Sequence, residues 1–590
     1  MSGQEQMGAS GAFELSQNFQ RINFLLQRLF LALSKREIRN PGVEGPGQPF
    51  FLRAALGHAA GIMSNPMRSF TAHLQFWQNT TALYAELTQA MLTGRHALPK
   101  IEPDARFKDE EWSSHPFFYY LKRQYQIMSA YLESLADTAD LGDDKKHSDQ
   151  IHFFTRQLVD LFSPSNFLAS NPVAIRRAVE TNGRSLVEGL ENLVKDLERA
   201  GGDLLVTLSD PEAFKVGESL AVTPGKVVHE TQMYQLIRYD PVGEQVYTRP
   251  LLLVPPWINK FYILDLQPKS SLIKWMTEQG FSVHVVSWRN PVEEHRDWGF
   301  DTYVFDGVLD AIRETNRLAG TSDLNVTGYC IGGTALAIAL AWLSKQKGKS
   351  PVQSATFFTA LTDFEDPGPL KAFIDESFVS GIMMEAQKHG YLDNRIMAKT
   401  FSYLRPNDLV YGPAVKAYLL GEPRPKFDLL FWNEDSTRLP ERMAREYLVH
   451  LYGENQFAAG KFDVQGTNVA ISDINVPHYV VACEKDHIAP WRASFKGLSK
   501  AGGDGRFILA QSGHIAGVIN HPAKNKYGYW MSEEIPTDLD KWREGSEAHE
   551  GSWWPDWAAW LAKRSGKKIE VAVEEEDGGL EQAPGHYVTD

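Results

Sequence analysis

The segment Leu324-Asn325-Val326-Thr327-Gly328-Tyr329-Cys330-Ile331-Gly332-Gly333-Thr334 constrains the chain more than any other. A short apolar run leads into a cysteine with glycines at −2 and +2, and the uninterrupted apolar run Ala335 to Leu343 follows. That order spells strand, sharp turn, helix. The glycines keep side chains out of a turn too tight to hold them, and the turn lifts its central residue above the strand end. The lifted residue also stands at a helix N-terminus, where the helix dipole favours a thiolate. Cys330 therefore reads as a nucleophile, with the amide of Ile331 directed at a developing oxyanion. The plain alternative, a buried cysteine in a Gly-rich turn, leaves the rest of the pattern unexplained.

A nucleophile on such a turn needs a base and an acid on loops after later strands, in the order nucleophile, acid, histidine. After the candidate strand His478 to Ala482 comes Cys483-Glu484-Lys485-Asp486-His487, and after Arg506 to Leu509 comes Gln511-Ser512-Gly513-His514. Asp486 and His514 fall at the expected places, the one fixing the tautomer and the other moving protons. Glu484 is a rival acid two residues earlier. His487 lies on the acid's loop and so is misplaced for the base. Cys483 has no flanking glycines and is expected to be a packing residue. A second oxyanion amide is expected after Leu251 to Val254; Pro255 and Pro256 carry no N–H, and Val254 is taken as the donor. Asp265, just beyond, is expected at most to cap a helix.

Further candidate strands are Ser282 to Val286, Leu324 to Thr327 and Ala355 to Thr359, short apolar runs without alternation, as suits strands buried on both faces. Interleaved with helical stretches they predict a mainly parallel, doubly wound sheet, an α/β-hydrolase fold. Residues 363–473, rich in Tyr, Pro and Leu, interrupt the rhythm and are expected to form an inserted cap or lid. Before the catalytic region, Phe24, Leu25, Leu29, Leu33 and Phe154, Leu158, Phe162 recur at helix spacing, with breakers at Asn40-Pro41, His115-Pro116, Ser163-Pro164 and Asn171-Pro172. The expected divisions are a flexible 1–20, a mostly helical domain 21–200, a catalytic domain 201–565 and an acidic tail 566–590.

Composition narrows the chemistry. Of 590 residues, 43% are hydrophobic and 12% aromatic, enough for a sizeable core. Two cysteines cannot build a disulfide framework or a structural zinc site, and no metal or other cofactor is expected. The net charge of −14 argues against nucleic acid as a partner. The longest clean apolar run is about half a membrane span, so no membrane span is expected. Met1 to Phe13 lacks the basic start and apolar stretch of a signal peptide, which points to the cytoplasm.

Several blocks make the chain resemble the polyhydroxyalkanoate synthases. They are Trp112 to Phe118, Ser163 to Phe167, Leu253 to Asn259, Ser287 to Pro291, Arg405 to Leu409, Phe427 to Asn433, Ser512 to Asn520 and Ser552 to Trp557. The resemblance covers most of residues 60–565, and the His514 and Trp553 blocks look like the one-subunit, short-chain class. It implies polymerisation of (R)-3-hydroxyacyl-CoA, chiefly 3-hydroxybutyryl-CoA, through acyl-Cys330, with Asp486 and His514 completing a triad. It also implies partners: the growing polyester chain, a second copy in a homodimer, and the polyester granule surface. CoA is anionic, so a local cation is expected: Arg405 first, with Lys524 and Lys526 as weaker candidates. Trp553, Trp554, Trp557 and Trp560 are expected in the core, and Trp432 in a lid or dimer contact. A thioesterase or depolymerase on the same fold is the enzymatic alternative, and a granule-coat protein the non-enzymatic one.

Overall fold

The computed structural model describes residues 2–36, 65–93, 104–138, 145–372, 376–532, 538–571 and 579–590, with single positions between 55 and 63 and at 374. The expected breaker at Asn40-Pro41 lies outside these residues. The chain forms two compact units, Met1–Asp210 with Lys399–Pro425, and Pro211–Ala398 with Lys426–Asp590.

The first unit is helical: α1 (Ser2–Ser34), α2 (Pro66–Thr93), α3 (Pro116–Thr138), α4 (Lys145–Leu161) and α5 (Arg184–Arg199) are its longer elements. Three expectations change here. Residues 2–20, expected as a flexible lead, are helical and form the start of α1. Further along α1, Ile22, Leu25 and Leu29 pack against Val187, Leu190 and Val194 of α5, and Arg21 and Arg28 pair with Glu191 and Glu198. The boundary also falls after Asp210, ten residues beyond Gly201-Gly202. Gly202 (φ +95°) sits where a Cβ would be 2.6 Å from the Ala32 carbonyl, so it is a close-approach turn inside the unit. Finally, Lys399–Pro425, expected within a lid, belongs to this unit. The nearly buried Asp196 carboxylate draws it in, accepting from Arg424, from the Tyr418 hydroxyl (2.6 Å) and from Thr207 Oγ1 (2.6 Å). Asn407 Nδ2 likewise donates to Asp160 at 2.7 Å.

The second unit is built on an eleven-stranded sheet. Its strands are β1 (Gly225–Glu230), β2 (Tyr234–Tyr239), β3 (Leu251–Val254), β4 (Val283–Trp288), β5 (Leu324–Tyr329), β6 (Val352–Phe358), β7 (His478–Cys483), β8 (Gly505–Ala510), β9 (Tyr529–Ser532), β10 (Glu547–His549) and β11 (Glu581–Gln582). The spatial order is β10-β9-β8-β7-β6-β5-β3-β4-β2-β1-β11. Strands β4, β3, β5, β6, β7 and β8 are mutually parallel, while β1, β2, β9, β10 and β11 pair antiparallel at the two edges. Read from β1 to β8 this is the α/β-hydrolase arrangement, and all six expected strands lie in the parallel centre. The β3 and β5 strands are buried along their whole length, which is why their sequences do not alternate.

The helix α6 (Leu272–Glu278) follows the loop after β3, and α7 (Ile331–Ser344) follows β5. Helix α7 is buried from Ile331 to Ala341, as an all-apolar helix must be. A late helix, α8 (Trp554–Ala562), packs its tryptophans into the main core. Trp557 Nε1 donates to Thr356 Oγ1 of β6 at 2.9 Å, and the Tyr479 hydroxyl of β7 donates to Asp556 at 2.8 Å. The four tryptophans are thus core residues. The acidic tail is also not free: its described part supplies β11, with Val227 and Lys226 of β1 opposite Glu581 and Gln582. Residues 572–578 lie outside the described ones.

Candidate active site

The turn between β5 and α7 holds Cys330 at φ +52°, ψ −124°, a conformation that non-glycine residues rarely adopt. The surrounding glycines explain how it is tolerated. A Cβ on Gly328 would lie 2.5 Å from Gly333 Cα, and one on Gly333 would lie 2.5 Å from the Ala360 Cβ. A Cβ on Gly332 would meet the carbonyls of Val254 and Pro255 at 2.5 and 2.6 Å. The Cys330 amide donates to Phe358 O at 2.9 Å, tying the turn to β6. Ile331 is the first residue of α7, as an oxyanion donor requires. Val254 closes β3 opposite Gly328, and what it turns toward α7 is its carbonyl.

Asp486 and His514 come together from the loops after β7 and β8. His514 Nδ1 is 2.7 Å from Asp486 Oδ2, and the Cys330 thiol is near enough to the same imidazole to act on its charge. The other carboxylate oxygen of Asp486 accepts from the amides of Ile488 and Ala489, both at 2.8 Å. Both side chains are nearly buried. Burial works against a charged imidazole here, but the charges of Asp486 and Cys330 outweigh it and raise the His514 pKa from 6.5 to about 10. The structure therefore brings Cys330, Asp486 and His514 together, with the acid and the imidazole hydrogen-bonded and the thiol beside them. Glu484 is exposed, which leaves Asp486 as the acid partner.

Several contacts that sequence reasoning did not foresee hold this arrangement. The Tyr329 hydroxyl donates to His514 O at 3.3 Å, and its ring lies 5.7 Å from the imidazole. Trp553 and Trp554 donate their indole N–H groups to the carbonyls of Gly517 and Val518 at 2.8 and 2.9 Å, pinning the histidine loop. The Lys485 amide donates to Ser512 O at 2.9 Å, joining the acid and histidine loops. A tryptophan block at helix spacing signals core, but nothing in it signals which carbonyls its indoles reach.

Comparisons with known proteins identify the family. Residues 103–276 match the family model described as Poly-beta-hydroxybutyrate polymerase (PhaC) N-terminus. The Poly(3-hydroxyalkanoate) polymerase of Methylorubrum extorquens is 39% identical over 532 residues, covering 89% of this chain and 87% of that protein. The Poly(3-hydroxyalkanoate) polymerase subunit PhaC of Cupriavidus necator is 39% identical over 540 residues, covering 90% of each chain, and that of Rhizobium etli is 37% identical over 535 residues, covering 89% and 84%. The chain belongs to the poly(3-hydroxyalkanoate) polymerase family. It is an enzyme of acyltransferase type.

The remaining expected residues of this family member are placed as follows. Arg405 belongs to the helical unit, exposed, with its guanidinium paired to Asp408. Lys524 and Lys526 are exposed on the loop beyond His514. The nearby His521 is held below the usual histidine range by burial and then by the charges of Lys524 and Lys274. Cys483 is buried against Gly517, and burial pushes its thiol well up, as fits a packing residue. Asp265 does not cap α6, whose N-cap is Ser271: its carboxylate accepts from Ser271 Oγ (2.6 Å) and from Thr223 Oγ1 (2.5 Å). Burial raises its pKa to about 6. Trp432, expected in a lid or dimer contact, instead donates to Lys260 O at 2.7 Å, so the Phe427–Asn433 block braces the loop after β3. Among the described residues no helix is long and apolar enough to cross a membrane. Among the described residues one group has the spacing of cation ligands, Glu230, Glu581 and His586. The Gln235 amide N–H2 already donates into it, with its orientation fixed by the Tyr587 amide on Gln235 Oε1, so the group is filled by a donor and not arranged for a metal.

Proposed function

We propose that this enzyme polymerises (R)-3-hydroxyacyl-CoA, chiefly 3-hydroxybutyryl-CoA, through a thioester on Cys330. The observation that carries the reading is the hydrogen-bonded Asp486–His514 pair beside a cysteine held on a strained strand-to-helix turn. With the Cys330 proton held on His514, the Cys330 thiolate attacks the substrate thioester and that proton passes to the departing CoA thiolate, leaving His514 neutral. Thioester exchange is nearly isoenergetic, so cysteine suits this step. His514, now neutral, takes the proton of an incoming 3-hydroxyl as that oxygen attacks the acyl carbonyl. An ester forms and the Cys330 thiol is regenerated. The Ile331 amide donates to the oxyanion in both steps; Val254, expected as a second donor, presents its carbonyl to the turn and is not used as one. No cofactor takes part.

CoA is a leaving group with several negative charges, and Lys524 and Lys526 on the histidine-bearing side of the catalytic unit offer cations for it; Arg405 is the further candidate. The reading includes a cytoplasmic homodimer working at the surface of the polyester granule. Incubation with 3-hydroxybutyryl-CoA separates this from a thioesterase. Polymer with stoichiometric CoA supports the reading, and free hydroxyacid without polymer refutes it. CoA thioesters of three to eight carbons test the short-chain preference in the same assay.

A further inference from the structure

The last strand of the sheet leads into a segment that reaches the loops beside the nucleophile. After β11, Gly585 (φ +75°) turns the chain inward where any side chain would strike Gln235 Oε1. Tyr587 and Val588 are consequently buried, each 2% exposed. The Tyr587 hydroxyl donates to Thr231 O at 2.7 Å, and the Arg289 guanidinium lies 4.3 Å from its ring centre. Val588 belongs to the main core and lines a small cavity with Trp257, Lys260, Phe261, Trp288 and Thr437.

Those neighbours hold the loop after β3. Trp288 Nε1 donates to Pro255 O at 2.8 Å, and Trp257 stacks on Tyr303 at 4.1 Å. Pro255 O and Val254 O are in turn the groups that Gly332, two residues past Cys330, is shaped to meet. A continuous packed path thus runs from Val588 through Trp288 and Pro255 to the turn that carries Cys330 and the Ile331 amide.

We propose that Tyr587 and Val588 are positioning residues for acyl transfer: by filling the space behind Trp257 and Trp288 they set how the loop after β3 meets the nucleophile turn. This rests on Cys330 being the acylated residue. Small misplacements of reacting groups cost rate far more than they cost binding. The test uses full-length Val588→Ala, Val588→Ile and Tyr587→Phe, with single-turnover acylation by 3-hydroxybutyryl-CoA followed by mass spectrometry of the Cys330 peptide, each run well below that variant's melting temperature. Val588→Ala is expected to slow acylation about tenfold with KM within about twofold, and Val588→Ile to stay within about twofold of wild type. Tyr587→Phe loses one hydroxyl and no core volume, so it serves if Val588→Ala does not fold; a slowing of about threefold is expected. Acylation at the wild-type rate in Val588→Ala, or in Tyr587→Phe if Val588→Ala does not fold, overturns the proposal, as does a loss confined to KM. Wild-type enzyme that releases CoA without acylating Cys330 overturns instead the nucleophile assignment beneath it.

Discussion

The catalytic and helical units bury their apolar residues in different ways. In the catalytic unit one cluster runs from Leu220 through β3, β4, β7 and β8 to Trp553, Trp557 and Val588. The helical unit has several small clusters, among them Leu83, Leu87, Tyr119 and Ile127, and separately Leu25, Val187 and Val194. It also leaves large apolar side chains in solvent, with Phe30 77% and Leu92 82% exposed. An extensive cluster such as this one opens largely as a unit, whereas small clusters open one at a time. The strained turn at Cys330 sits in the unit able to hold it.

The largest expected effect breaks the chemistry and leaves both units standing. Cys330→Ala should lower CoA release by at least about 10³-fold while its melting temperature stays near wild type, checked by a thiol-release assay and calorimetry. Next, Trp557→Ala should cost about 3–5 kcal/mol in denaturant unfolding, whereas Leu25→Ala should cost about 2 kcal/mol, at the low end for a buried leucine, because its cluster is small. Equal losses would erase the contrast between the units.

A smaller effect is electrostatic. The folded-state pKa of His514 is raised from 6.5 to about 10, so its stabilising contribution is fully present below pH 6.5 and lost as pH rises through about 10. Wild-type stability measured from pH 6.5 to 10 should therefore fall more steeply than that of His514→Gln. The smallest effect is at the surface: Phe30→Ser should change stability by no more than about 0.5 kcal/mol.

The sequence made the turn that carries Cys330 legible because three glycines and an all-apolar helix satisfy steric demands that few other folds share. Asp486 and His514 followed from strand order, since each stands a few residues beyond a buried strand. The β11 strand was not legible: Glu581-Gln582 is short and polar, and it is a strand only because the edge of β1 is there to accept it. Nor was the membership of Lys399–Pro425, which depends on a carboxylate, Asp196, more than 200 residues away. Trp432 showed as apolar, but its indole partner, the Lys260 carbonyl, is a contact that no local pattern encodes. Pairings between distant polar atoms leave no periodicity behind.

The most direct measurement is mass spectrometry of enzyme quenched during turnover of 3-hydroxybutyryl-CoA, with His514→Gln used to slow the step that removes the acyl group. A hydroxybutyryl thioester on the peptide containing Cys330, and none on that containing Cys483, is the expected result. An acyl group on any other residue, or CoA release with no acyl-enzyme at all, would contradict a cysteine nucleophile on the β5–α7 turn.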